Sequence, residues 1–173
     1  MNARTLVVST LLSASALGAQ KAPDVTPYLI ADRAAEVALA RTAAPPNVSG
    51  KTSVMVLTPN GYVEAAHGTN GFTCAVMRSF AAKPGDPDFW KPRTSAPLCF
   101  NAPGAHTVLP AILAQIQWAL AGATSADLNA RIRKAYADKQ FAMPAAGAMA
   151  YMLSPKQHLS EDDPRWMPHV MFY

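Results

Sequence analysis

Trp166-Met167-Pro168-His169-Val170-Met171 sets one imidazole and two thioethers close together near the end of the sequence. In a strand, His169 and Met171 point to the same face, so both could ligate one ion. Met152 and His158 join them if the last two strands pair. Imidazole with thioethers suits Cu(I) or a haem iron, and a copper or haem binder is therefore one expectation. The competing reading is packing, because methionine is an ordinary core filler.

A second set could do acid–base work. His67 shares a strand face with Val63 and Ala65, and Glu64 alternates with Tyr62 and Ala66 on the opposite face. If Glu64 faces a cleft beside Arg78, it could bind a polar group of a ligand. His106 falls near a helix start, where the dipole disfavours an imidazolium and leaves a neutral base or cap. An extracytoplasmic enzyme using His67, His106 or Glu64 is the expectation these residues support. Nucleophilic hydrolysis is not supported: no G-x-S-x-G occurs, and Ser79, Ser95 and Ser154 lack activating neighbours. The histidines do not have zinc spacing, and no glycine-rich phosphate loop is present. Asp86, Asp88 and the Glu161-Asp162-Asp163 cluster read as solvated loops.

The net charge of +4 comes with no dense Lys/Arg block. Arg131, Arg133 and Lys134 make one helix face basic, but without interleaved aromatics they do not argue for nucleic acid. Half the residues are apolar and only 15% are charged, so a packed core is expected and disorder is not.

Met1 to Ala19 reads as a secretory signal peptide. Arg4 supplies the positive region, Leu6 to Leu17 the apolar stretch, and Ala16-Leu17-Gly18 the small residues for cleavage after Gly18, with Ala19 as the alternative. The stretch is too short for a permanent span. The expectation is a periplasmic or secreted protein with no membrane association after cleavage. Removing residues 1–18 leaves about 155 residues, the size of one ordinary domain. Residues 19–44 form an N-terminal helix and linker, and 45–173 a single α+β domain. In an oxidising compartment an even cysteine count favours a bond, here Cys74 to Cys99.

The elements follow from spacing. Thr26-Pro27 opens a helix running to Thr42, with Ile30, Ala34, Val37 and Ala38 turned inward. Three strands come next, at 53–57, 62–67 and 72–79, separated by two Asn-Gly turns that predict a meander. Residues 81–104 hold five prolines and read as one long loop, pinned by the cysteine pair. Leu109 to Leu120 and a second segment capped by Thr124 with Asp127 are helical. Residues 148–153 and 169–173 then form a C-terminal hairpin. The expected fold class is α+β: an antiparallel sheet of about five strands, a three-stranded meander plus the hairpin, with helices on one face.

The long loop carries Phe89 and Trp90, and Phe80 and Phe100 flank it. The function this favours is a non-enzymatic domain that binds a small molecule or partner between its sheet and that loop. Glu64, His67, Trp90 and His106 are the candidate contacts. Buried anchoring of the loop would explain the aromatics without a ligand.

The blocks Gly61-Tyr62-Val63-Glu64, Gly68-Thr69-Asn70-Gly71-Phe72-Thr73-Cys74, Cys99-Phe100-Asn101, Gly147-Ala148-Met149-Ala150-Tyr151-Met152 and Pro168-His169-Val170-Met171-Phe172 resemble a family of uncharacterised exported bacterial proteins. The resemblance implies a bacterial periplasmic or secreted setting, and no activity.

Overall fold

The computed structural model describes residues 23–160 and 167–173. The expected leader over 1–18, Trp166 and the Glu161-Asp162-Asp163 cluster lie outside the described residues.

The helix expected from Thr26 divides in two. Thr26–Tyr28 make only a 3-10 turn, because Leu29 is extended (φ −78°, ψ 137°). Helix α1 then spans Arg33–Arg41, capped by the Asp32 carboxylate, which accepts the Ala34 N–H. Its inward face is not the expected one. Glu36 and Ala40 are buried, Val37 is half-buried, and Ala34 and Ala38 are exposed. A stripe read from apolarity cannot anticipate a carboxylate that turns inward to meet a buried cation. A single turn, α2 (Pro46–Ser49), follows.

The strands are β1 (Ser53–Thr58), β2 (Gly61–Ala66), β3 (Thr73–Arg78), β4 (Ser95–Phe100), β5 (Met149–Met152) and β6 (His169–Phe172). They form one sheet in the order β2-β1-β3-β4-β5-β6. The class is α+β, as the residue pattern implies, with six strands in a mixed sheet in place of about five antiparallel ones.

The first Asn-Gly makes the expected β1–β2 hairpin, with Gly61 at φ 108°. The second does not, and the meander is corrected. Asn70 instead accepts the Phe72 N–H and donates to Val48 O. The Thr69 N–H and Ser53 N–H bond to Lys51 O (2.8 Å) and Phe72 O (2.9 Å), so the chain crosses beneath the start of β1. Strand β3 emerges on the far side of β1 and runs parallel to it. The physical reason is burial. Cys74, Ala75, Val76 and Met77 are buried on both faces of β3, which suits a central position, whereas β2 is half-exposed and suits an edge.

Strand β4 is the element missing from the sequence reading, hidden in the proline-rich loop. Pro97 stands in its middle, opposite Val76. Ser95 N–H and Asn101 N–H both turn towards the β5 side, bonding to His158 O and Met149 O. By two-residue alternation Pro97 faces that side too, between the two contacts, so its missing N–H leaves the β3 ladder intact. The C-terminal hairpin is as expected, with Met152 opposite His169 and Ala150 opposite Met171.

Helices cover both faces of the sheet, not one. On one side α1 packs over Val54, Cys74, Val76 and Cys99. The other side carries α3 (Ala102–Thr107), α4 (Leu109–Leu120) and α5 (Ser125–Ala137), with Ile116, Ala119 and Leu128 over Ala75, Leu98 and Phe100. Thr124 and Asp127 form the full capping box of α5.

Candidate functional site

The structure brings three of the four candidate metal ligands to one face and sets the fourth, His158, apart. His169, Met171 and Met152 share one face of the C-terminal hairpin through cross-strand register. Met152 is buried and Met171 packs against the same core, so both thioethers fill space between side chains. The His169 Nδ1 lies 2.9 Å from Met167 O. His158 is bonded elsewhere, to Ser95 of β4 through two backbone hydrogen bonds of 2.7 and 2.8 Å. Ser95 belongs to the Cys99 side of β4, whereas Met152 packs with Leu98 on the other side. His158 and His169 therefore stand on opposite faces of the sheet. Among the described residues, no three His, Cys, Asp or Glu side chains gather around one point.

Glu64 and His67 do meet, although alternation sets them on opposite faces. Ala65 is an extra residue in β2: Val54 faces Ala66 while Met55 faces Glu64. This bulge re-aims the strand. The His67 Nδ1 comes to 3.0 Å from Glu64 Oε1, with the side chains 82% and 54% exposed. Arg33 donates to Glu64 O. The partner of Arg78 is a different carboxylate, Glu36. His106 is exposed and borders a separate groove of about 750 Å³ with Tyr136 and Phe141. The acid–base candidates thus line no common cleft.

The proline-rich loop packs down onto the core. Phe80, Phe89 and Phe100 are buried, and Tyr28, Phe80 and Phe89 surround Trp90 with ring centroids 5.1–6.3 Å away. Gln115 on α4 donates to Phe80 O (3.0 Å) and Ala82 O (2.7 Å), fixing the loop's start. Trp90 keeps 38% of its surface exposed, beside a groove of about 420 Å³ shared with Pro23 and the α4–α5 turn.

Between the end of the sheet and this loop lies a cavity of about 270 Å³, lined by Met77, Arg78, Ser79, Ala81, Ala82, Thr94, Ser95, Ala96, Leu98 and Leu159. The floor is β3 and β4; Ser79 to Ala82 and Thr94 are the loop's two ends. Arg78 is 4% exposed and is held by three groups: Tyr28 O accepts from Nε (2.7 Å), Val76 O from Nη1, and Glu36 Oε1 from Nη2 (2.8 Å). The Ser79 and Thr94 hydroxyls are fully buried in the protein and do not open onto the cavity. Burial raises the pKa of the Tyr28 phenol, and the Ser79 side chain beside it opposes that rise.

Sequence reasoning missed Glu36, Thr94 and Leu159 and gave Ser79 no role. The available signal was Arg78 itself: a charge closing a strand buried on both faces needs a buried counter-charge.

Cys74 and Cys99 are bonded, directly opposite each other on β3 and β4 and fully buried. This suits an oxidising, extracytoplasmic setting. Among the described residues, no helix is long and apolar enough to cross a membrane.

The chain matches no protein-family model, no curated protein and no solved structure.

Proposed function

We propose that this is an exported bacterial protein, periplasmic or secreted, whose α+β domain binds a small molecule without transforming it. The binding site is the cavity between the sheet and the proline-rich loop. One observation carries the reading: a cavity of about 270 Å³ with mostly apolar walls opens between the end of the sheet and the two ends of the loop. The disulfide and the leader-like residues 1–18 support export. Glu64 and His67 meet on an exposed strand end and His106 borders a separate groove, which weighs against one shared acid–base site.

Filling the cavity tests it. Small neutral aromatics should raise the melting temperature of the oxidised protein. Ala96→Leu, or independently Leu159→Trp, should abolish that rise while the variant stays folded. An unchanged rise in both filled variants would place binding elsewhere and overturn the proposal.

A further inference from the structure

We infer that the outer edge of β6 is a self-association surface, where a second copy of this chain adds its own β6 antiparallel and joins two sheets into one. The sheet has two edges, β2 and β6. The β2 edge is blunted: the bulge at Ala65 bends it, and Arg33 occupies the Glu64 carbonyl. Strand β6 has no such protection. It contains no proline, no bulge and no Asp, Glu, Lys or Arg to repel a copy. Along this edge Met167, Phe172 and Tyr173 are 82%, 79% and 43% exposed, a concentration of apolar surface that marks an interaction site.

The backbone fixes how a copy fits. The Tyr173 N–H bonds to Ala148 O beside β5, so by alternation His169 and Met171 also turn towards β5, while Val170 and Phe172 turn outward. Among the described residues, no strand pairs with these outward groups. With a two-fold axis at Met171, Val170 of each copy lies opposite Phe172 of the other, and each such pair exchanges both of its N–H···O bonds. Every outward group then has a partner, as an isologous contact requires. The exposed Phe172 ring comes beside the smaller Val170 of the other copy on one face of the sheet. On the other face Met171 meets its own counterpart, with Cα atoms about 4.5 Å apart. What selects a copy over an unrelated strand is this match, a bulky ring opposite a small branched side chain twice over, with no charge on either side.

Sedimentation equilibrium of the oxidised protein over a concentration series tests the inference, and a monomer–dimer equilibrium is expected. Val170→Pro removes an N–H that points away from β5, so the strand should stay paired within its own sheet while self-association weakens at least about tenfold. Phe172→Lys keeps that N–H and should weaken association as much, by setting a like charge on each side of the contact. Met171→Cys should form an interchain disulfide on mild oxidation. Phe172→Cys should not, because this register holds its two Cα atoms more than about 7 Å apart. A parent that stays monomeric at about 1 mM, or a dimer that survives both Val170→Pro and Phe172→Lys, would overturn the inference. Cross-linking through position 172 and not 171 would overturn the register and the self-complementary pairing with it.

Discussion

Arg78 Nη2 stands 2.8 Å from Glu36 Oε1, and the two side chains are 2% and 1% exposed. The same carboxylate oxygen accepts the Leu57 N–H at 3.2 Å. One buried ion pair therefore joins α1, β1 and β3, and Arg78 borders the cavity between sheet and loop. The pair's worth is mainly negative: removing one partner strands the other in a medium that cannot solvate it. Glu36→Ala should cost about 3–5 kcal/mol in urea unfolding. Glu36→Leu combined with Arg78→Met should cost clearly less than the two single changes added together. Additive losses would show that the pair is not coupled.

The disulfide closes a loop of 25 residues across adjacent strands. In the chain-entropy picture such a bond is worth roughly 3.5 kcal/mol. Cys74→Ala/Cys99→Ala should lose about that much, and the parent should show no free thiol when denatured without reductant. Titratable thiols under those conditions would contradict the pairing.

Gly68 is required for a different reason from the turn glycines. It lies where the chain passes beneath β1, and an added Cβ would fall 2.1 Å from Ser53 N and 2.2 Å from the Thr52 carbonyl carbon. Those atoms are backbone and cannot give way without breaking the crossing. Gly68→Ala should destabilise by at least about 2 kcal/mol. Gly85→Ala, at a position with open space but a φ of 95°, should cost less, reflecting backbone strain alone. Equal losses at the two sites would refute the crossing as the cause.

Tyr62 connects stability to alkaline pH. Its hydroxyl donates to Val76 O, and burial raises its pKa well above the ordinary tyrosine value, more than the nearby Arg78 lowers it. The folded state thus holds a proton that the unfolded chain releases near pH 10. The contribution is complete below the unfolded value and is lost progressively as pH rises from there towards the folded one. Tyr62→Phe should cost about 1 kcal/mol at neutral pH and flatten the alkaline fall in melting temperature. An alkaline fall as steep in the variant would assign it to other groups.

Local chemistry made much of the fold legible in the sequence. The Thr124–Asp127 cap, the Pro59-Asn60-Gly61 turn, the C-terminal hairpin and the Cys74–Cys99 bond each depend on residues whose conformational or covalent preference is strong. Strand β4 was not legible, because Pro97 disguises it. A proline is excluded from a ladder only where its N–H is needed, and which side of β4 needs one is known only after its neighbours are placed.

The sequence alone determined the α+β class, the core composition, the disulfide and most element positions, since these follow from side-chain periodicity and turn preference over short distances. The tertiary structure decided where β3 goes, which face α1 buries and which carboxylate meets Arg78. Those outcomes depend on contacts between distant residues: Glu36 with Arg78, Gly68 with Ser53, and the sheet's end with both ends of the loop. The candidate site belongs wholly to this second kind. Its walls come from β3, β4 and both ends of the loop, which only the folded chain brings together.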